Sequence, residues 1–261
     1  MTDDSADAPV ALRAAGIVKT YGHVRALRGV DFDLRRAEVH ALVGDNGAGK
    51  STLIKILSGA VRADAGTISL DGKVVDIRSP EDARELGIET VYQDLAIAES
   101  LDLGENIFLG RELLRPGLLG KLGFIDRPEM RRRGMEHLTR LGTTIPSASV
   151  PLESLSGGQR QAVAVARAAA WGQRVLILDE PAAALGVKQT GQVLELIRRS
   201  TQEQKLSVVF ISHDVAQVLA VADRITVLKQ GTVSLHCNAS EASVDLLVRA
   251  MSGLTDFGGA A

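Results

Sequence analysis

Aromatic side chains, cysteines and long apolar runs are what this chain has least of. Aromatic residues make up 3% of its 261 residues, and Cys237 is its single cysteine. A lone cysteine excludes an internal disulfide, which fits a reducing compartment. No apolar run reaches the ~18–20 residues that span a bilayer, because the closest candidate, Ala162 to Trp171, is broken by Arg167. We therefore expect any membrane association to depend on a partner.

The sequence also lacks an excess of charge of either sign. Lys and Arg total 30 against 32 for Asp and Glu, a net charge of −2. This balance gives no electrostatic reason to expect nucleic acid as a partner. The acidic start, Met-Thr-Asp-Asp, is the opposite of a secretory signal. We predict that residues 1–9 and 254–261 are flexible tails.

What the chain does have is a core-forming composition and an alternation of strand and helix patterns. It is 45% hydrophobic, and its length suits one domain with an inserted subdomain. We predict an α/β fold with a mainly parallel sheet, an antiparallel β subdomain near the N-terminus and a helical insertion. The predicted domain spans 10–253, with a catalytic core in 10–93 and 171–253 and helices in 94–170. The predicted strands are Leu27–Leu34, Val39–Val43, Thr67–Leu70, Glu89–Tyr92, Val175–Leu178 and Val208–Ile211, and two predicted helices are Gln189–Arg199 and Asp214–Ala222.

The most constrained motif is the glycine-rich GDNGAGKS loop that follows the strand Val39–Val43. Its glycines, Gly44, Gly47 and Gly49, let backbone N–H groups close around phosphate oxygens. Lys50 can reach the β- and γ-phosphates, and the Ser51 hydroxyl can ligate Mg²⁺. A chance glycine turn is improbable in this strand-to-helix context. The remaining residues expected to contact the nucleotide are Asp45, Asn46, Ala48 and Thr52.

A second motif, LILDEP, places two carboxylates at the end of the apolar strand Val175–Leu178. Ligands of open α/β sheets bind at this end of the strands. We assign Asp179 to Mg²⁺ and Glu180 to the attacking water as general base. The alternative is a solvated acidic turn before Pro181, which the nearby phosphate loop disfavours.

A third motif, Ser156-Gly157-Gly158-Gln159, precedes a helix-like run. Ser156 can cap that helix, and the two glycines leave its first amides uncovered. Together they would form a second anion site. An ordinary Ser-capped helix is the alternative, and the position downstream of a phosphate loop argues against it.

In order and spacing these motifs resemble the ATP-binding subunits of bacterial ABC importers for monosaccharides, of the ribose, xylose and fructose type. The resemblance extends from about Leu12 to Met251 and includes VYQDLAIAESLDLGENIFLGRE, LSGGQRQAVAVARA and FISHD. It implies that ATP and Mg²⁺ are the cofactors. It also implies a head-to-tail homodimer that forms with ATP, in which Ser156–Gln159 of one subunit cover the γ-phosphate held by the other.

Further roles rest on the same resemblance. Gln93 would contact Mg²⁺ and the attacking water, and His213 would sense the γ-phosphate. Tyr21 would stack on adenine, although it could equally fill the core. The segment 94–110 would form part of a groove for a transmembrane sugar permease, and a periplasmic sugar-binding protein would be an indirect partner. The subunit would lie on the cytoplasmic side of the inner membrane.

Two positions depart from the pattern of many ABC ATPases. Gly186 stands where an Asp is frequent, although the sugar importers often lack that Asp, and Ala182 stands where Thr is usual. A missing hydroxyl at Ala182 would weaken a local hydrogen bond by ~1 kcal/mol, too little to predict inactivity. A soluble ABC ATPase that acts in assembly or regulation remains the alternative function. We interpret the run Arg131–Arg133 as a solvated helix face.

Overall fold

The computed structural model describes residues 9–94, 96–142, 145–183 and 185–253. Within them the strands are β1 (Val10–Tyr21), β2 (Val24–Arg35), β3 (Val39–Val43), β4 (Ala65–Leu70), β5 (Lys73–Val75), β6 (Ile88–Val91), β7 (Val175–Asp179), β8 (Ser207–Ile211), β9 (Arg224–Lys229) and β10 (Thr232–Asn238). The helices are α1 (Lys50–Leu57), α2 (Pro80–Glu85), α3 (Leu103–Ile107), α4 (Leu118–Lys121), α5 (Arg127–Arg140), α6 (Gly157–Trp171), α7 (Val187–Gln204), α8 (Val215–Val221) and α9 (Val244–Ser252).

The strands form two sheets. The central sheet has the order β10-β9-β3-β8-β7-β6, and every neighbouring pair in it is parallel except β9 with β10. The second sheet is antiparallel, in the order β2-β1-β4-β5. This arrangement confirms the predicted α/β fold with an antiparallel β region near the N-terminus.

The middle strands of the central sheet are buried on both faces. In β8, Val208 and Phe210 point into one core cluster, whereas Val209 and Ile211 point into the other. Both faces of a parallel sheet are covered by other elements, so its strands read as continuous apolar runs rather than alternating ones. For this reason β3, β7 and β8 were predictable from sequence to within one residue.

The two core clusters lie on opposite faces of the central sheet, one with α1 and Ala83 of α2 and the other with most of the remaining helices. Helix α1 lies between the two sheets, with Leu53, Ile54 and Leu57 almost fully buried. On the other face, residues of α3, α5, α6, α7, α8 and α9 share one cluster with the central strands. None of the described helices is long and apolar enough to cross a bilayer.

Several elements differ from their prediction or were missed. Strand β2 is longer than Leu27–Leu34, and α7 extends to Gln204, well beyond Arg199. Strands β9 and β10 were not predicted. Polar residues of β9 and β10 are stabilised by tertiary partners, since Thr226 contacts both His40 and His236. A hydropathy pattern along the sequence carries no information about such tertiary contacts.

The triple arginine run lies on α5 and is neutralised by carboxylates. Arg132 and Arg133 both pair with Glu129, and Arg131 pairs with Asp102. Hydrogen bonds from the two guanidinium groups lower the pKa of Glu129 to about 2. The run lies on a largely exposed helix face, as predicted, and its ion pairs were not predicted.

Candidate nucleotide-hydrolysis site

The phosphate loop connects β3 to α1, as its sequence predicted. Gly49 precedes the helix with a φ of 110°, a left-handed conformation that favours glycine. A Cβ on Gly44 would lie 2.3 Å from the Leu228 carbonyl oxygen, and one on Gly49 would lie 2.8 Å from the Ala26 carbonyl oxygen. Glycine is required at both positions because neighbouring backbone approaches the loop so closely.

Lys50 is buried beneath this loop. Its ammonium donates to the carbonyl oxygens of Gly44 and Asp45 at 2.6 and 3.1 Å. Burial lowers the pKa of Lys50, and the charges of Glu180 and Asp179 oppose that shift. Because an ammonium has three N–H donors, these two bonds leave one donor for a phosphate oxygen.

The two acidic residues follow β7, in the same sheet as β3. Burial, with the neighbouring charge of Glu180, raises the pKa of Asp179, and Lys50 opposes this shift. The approach of a cation would reverse the shift by stabilising the carboxylate. Asp179 is thus a half-buried carboxyl group whose charge a positive partner would stabilise.

Glu180 has a backbone conformation that is rare for a residue with a side chain. Its φ is 51°, and two hydrogen bonds hold it there, from its own N–H to the Ile211 carbonyl and from the Ala183 N–H to its carbonyl. A left-handed conformation of this kind costs on the order of 1 kcal/mol and is found at functional sites. The Glu180 side chain contacts the residues that follow β8, where His213 Nδ1 lies 3.0 Å from Glu180 Oε1.

A cavity of about 500 Å³ joins these parts. It is large enough for a nucleotide-sized ligand, since small-molecule sites are typically ~300–1,000 Å³. The predicted residues that line it are Asp45, Asn46, Gly47, Ala48, Gly49, Lys50, Ser51, Thr52, Gln93, Asp179 and Glu180. Residues far apart in sequence therefore converge on one space.

Some residues that line the cavity were not predicted from the sequence, and one predicted nucleotide contact, Tyr21, is not among the described residues that line it. Val24, Arg25, Ala26 and Arg28 of β2 and Gln230 also line the cavity. They belong to no motif: the packing of the antiparallel sheet brings the β2 residues there, and the turn between β9 and β10 brings Gln230. Tyr21 is 44% exposed, has Lys19 Nζ 5.6 Å from its ring centroid, and is not among the described lining residues, so its role in stacking stays a prediction.

The third motif forms the start of α6. Ser156 Oγ accepts from the Gln159 N–H at 3.3 Å, and Gln159 Oε1 accepts from the Ser156 N–H at 3.0 Å, which is a reciprocal capping box. Ser156 and Gly157 are exposed. None of Ser156–Gln159 is among the described residues that line the 500 Å³ cavity. The start of α6 is therefore exposed and lies outside the described lining of this cavity, and its role as an anion site stays a prediction.

A phosphate loop between strand and helix, with two carboxylates ending a strand of the same sheet, defines a P-loop ATPase. A family model described as "ABC transporter" matches residues 27–183, more than half of the chain. The chain belongs to the ABC transporter family and is an ABC-type ATPase.

Relatives with known names agree with this assignment. The chain is 48% identical over 244 residues to the fructose import ATP-binding protein FrcA of Rhizobium meliloti, covering 93% of this chain and 94% of that protein. It is 44% identical over 241 residues to the xylose/arabinose import ATP-binding protein XylG of Sulfolobus acidocaldarius, covering 92% and 93%. It is 46% identical to the ribose import ATP-binding protein RbsA 1 of Rubrobacter xylanophilus, but it spans only 47% of that protein.

Solved structures show the same fold. The cbiO1 protein of Clostridium perfringens, part of the ABC transporter complex cbiONQ, matches with a TM-score of 0.76 at 27% identity, over 94% of this chain and 95% of that one. The ATP-binding cassette MJ0796, in a dimeric post-hydrolysis state bound to ADP and Pi, matches with a TM-score of 0.72 at 26% identity, over 87% and 98%.

Proposed function

We propose that this chain is the ATP-hydrolysing subunit of a sugar importer and that it powers the passage of a monosaccharide through a membrane permease. The observation that carries the ATPase part is the convergence of Lys50, Asp179, Glu180 and Gln93 on one cavity. The names of FrcA, XylG and RbsA 1 support the sugar part, and the first two match over nearly their whole length.

In this proposal the phosphates of ATP lie against the loop amides, and Lys50 neutralises the β- and γ-phosphates. The chain's own oxygen donors suit Mg²⁺, because Ser51, Gln93 and Asp179 line the same cavity and Mg²⁺ is held by one or two protein oxygens together with phosphates. When bound, Mg²⁺ would neutralise charge on the phosphates.

Glu180 is proposed as the general base that orients and deprotonates the attacking water. Its Oε1 is fixed by the 3.0 Å contact with His213, and its backbone is fixed by the two hydrogen bonds that maintain the left-handed turn. Positioning a carboxylate in advance matters, because misplacement of a catalytic group by about 1 Å can cost ~10²-fold in rate. His213 is thereby placed to respond when the γ-phosphate leaves.

A second subunit would complete the site. Ser156–Gln159 present a capped but exposed helix start, which is an anion site with no phosphate of its own chain to contact. In a two-fold symmetric dimer, Ser156–Gln159 of each subunit would cover the ATP held by the other subunit. The dimeric state of the related cassette MJ0796 supports this arrangement.

A groove of about 350 Å³ is the proposed permease site. It starts beside Gln93 at Tyr92 and Ala96 and is bordered by Leu109, Arg111 and Trp171. The Arg111 guanidinium lies 4.8 Å from the Trp171 ring centroid and pairs with Glu89 at 2.8 Å.

Only part of the segment 94–110 is available to line this groove. Leu103 and Phe108 are in the core and do not line the groove, Ile107 is buried but lines it, Leu109 is 49% exposed, and Leu95 lies outside the described residues. A cytoplasmic helix of the permease in this groove would place the chain peripherally on the cytoplasmic side of the inner membrane. A periplasmic sugar-binding protein would then act through the permease.

Cysteine cross-linking tests this function. Burial, with the charge of Glu241, raises the pKa of the Cys237 thiol and so lowers its reactivity. In a Cys237→Ser background, a single cysteine at Leu109 should cross-link to cytoplasmic loops of the co-purified permease, with a yield that differs between ATP and ADP. A cysteine at the exposed Thr232 is the matched control.

The same complex in proteoliposomes should take up labelled fructose, ribose or xylose only with ATP inside. A chain that hydrolyses ATP at full rate, assembles with no permease and drives no uptake would instead be the soluble ATPase of assembly or regulation. Cross-links confined to Thr232 would place the coupling surface on the opposite face.

A further inference from the structure

Residues 113–126 form an ordered hairpin, here named the apolar hairpin, that leaves the permease groove at Arg111. Its two arms are joined by the bonds from the Arg115 N–H to the Phe124 carbonyl at 2.8 Å and from the Asp126 N–H to the Leu113 carbonyl at 2.6 Å. The short helix α4 forms its tip. The hairpin is therefore a folded element and not a loose loop.

Large apolar side chains cover the outside of this hairpin. Leu118 is 73% exposed and Leu122 is 66% exposed. The others are half exposed: Leu114, Leu119, Phe124 and Ile125. The large apolar side chains exposed elsewhere in the described residues are mostly single valines on separate elements, such as Val74 and Val187. A contiguous patch of leucine and phenylalanine marks an interaction surface, whereas scattered exposed residues are ordinary.

The hairpin carries two exposed cations and a single acidic residue, Asp126, which lies at its base and accepts a hydrogen bond from the Glu129 N–H at the start of α5. Arg115 and Lys121 are exposed, and residues 113–125 contain no Asp or Glu. Neither cation forms an ion pair with a described residue. By contrast, Arg111 and Arg127, just outside the hairpin, are paired with Glu89 and Glu105. The tip therefore combines exposed apolar side chains with unneutralised positive charge.

We propose that the apolar hairpin contacts the bilayer surface, with its leucines and Phe124 in the headgroup region and with Arg115 and Lys121 against anionic lipid phosphates. Leucine and phenylalanine on one face with basic residues beside them are the composition of interfacial membrane segments. An acidic protein partner would match the cations but would not need six large apolar side chains. The hairpin's origin beside the permease groove places it toward the membrane, and only this orientation rests on the proposed function.

Vesicle co-sedimentation of the full chain tests the proposal. The protein should bind vesicles of phosphatidylglycerol and phosphatidylcholine more strongly than vesicles of phosphatidylcholine alone, and high salt should weaken the binding. Leu118→Ser with Leu122→Ser should weaken binding by about tenfold or more, because burial of several methylenes is lost. Val74→Ser with Val187→Ser, which removes equally exposed apolar side chains elsewhere, should not.

A second double variant, with its own control, tests the two cations Arg115 and Lys121. Arg115→Gln with Lys121→Gln should reduce binding to the anionic vesicles by roughly tenfold and leave binding to neutral vesicles unchanged. Lys73→Gln with Lys188→Gln, which removes two exposed lysines elsewhere, is the control.

Three results would overturn the proposal. The first is equal binding by the hairpin and control variants, or no vesicle binding at all. The second is concentration-dependent self-association that Leu118→Ser with Leu122→Ser abolishes in the absence of vesicles, which would assign the patch to a second copy. The third is sedimentation only of vesicles that contain the permease, which would assign it to that protein. ATP hydrolysis retained by the hairpin variants would separate each of these failures from a failure of the proposed function.

Discussion

The phosphate loop and the turn Ser156–Gln159, here named the signature turn, each lie at the start of a helix. Their side chains differ in burial and in hydrogen bonding. Lys50 is buried, bonded to two carbonyls and surrounded by carboxylates. Ser156 is exposed, and its hydroxyl is already used in a capping box. The phosphate loop lines a cavity together with two carboxylates, whereas Ser156–Gln159 are not among the described residues that line it.

The Gln189 side chain lies against both Gly158 of the signature turn and Gly186. A Cβ on Gly158 would lie 2.5 Å from Cγ of Gln189, and one on Gly186 would lie 2.8 Å from Oε1 of the same residue. Gln189 belongs to the first turn of α7, which follows the loop that begins at Glu180. Gln189 therefore packs between the signature turn and the N-cap of α7.

The largest expected effect is on ATP turnover at the phosphate loop and Glu180. Glu180→Gln should retain ATP binding but lower turnover by ~10²–10⁴-fold, because it removes general-base assistance while keeping the shape of the side chain. Steady-state phosphate release together with nucleotide binding checks this. Lys50→Ala is the contrast and should weaken binding itself, since a charged phosphate contact is lost. Near-normal hydrolysis by Glu180→Gln would remove Glu180 from the role of base.

The second-largest expected effect is on dimer formation, and it distinguishes the signature turn from the phosphate loop. In the Glu180→Gln background, Mg-ATP should produce a dimer in size-exclusion chromatography, and ADP should release it. Adding Gly157→Glu should abolish the dimer but not ATP binding, because it places a negative charge where the partner's γ-phosphate would lie. A Cβ at Gly157 meets no atom within 4 Å, so the fold should tolerate the change.

Gly191→Glu is the matched control for this prediction. Gly191 is also a helical glycine with no atom within 4 Å of an added Cβ, and the change adds the same charge on α7. It should leave the dimer intact. Loss of the dimer in both variants would point to net charge rather than to the signature turn, and a monomer in every nucleotide condition, including in complex with the permease, would contradict the shared site.

The smallest expected effect is on the free energy of unfolding and concerns Gly186. Gly186 is the N-cap of α7 and offers no side-chain cap. Gly186→Asp should raise the free energy of unfolding by about 0.5 kcal/mol, through a cap and a favourable charge at the helix start. For a chain of this length the midpoint of thermal unfolding should rise by about 1–2 °C. Gly186→Ala should give no such rise, and an equal rise in both variants would exclude capping.

Sequence reasoning was most successful where local chemistry decides the structure. The phosphate loop between strand and helix, the helix cap at Ser156 and the buried strands β3, β7 and β8 all follow from residues that are neighbours in sequence. It was least successful for Val24, Arg25 and Gln230, which line the cavity without belonging to a motif. It also left undecided which apolar residues of 94–110 are core, because burial depends on what packs against them.

By itself the sequence determined the kind of chemistry, because the residue types that hold phosphates, carry a base and cap a helix are specific at short spacing. Only the tertiary structure decided how these parts meet. It brought Gln93, Asp179 and Lys50 to one cavity and kept Ser156 out of it. It also left the apolar hairpin uncovered, a fact that hydropathy cannot reveal, since an apolar run looks the same whether it is buried or exposed.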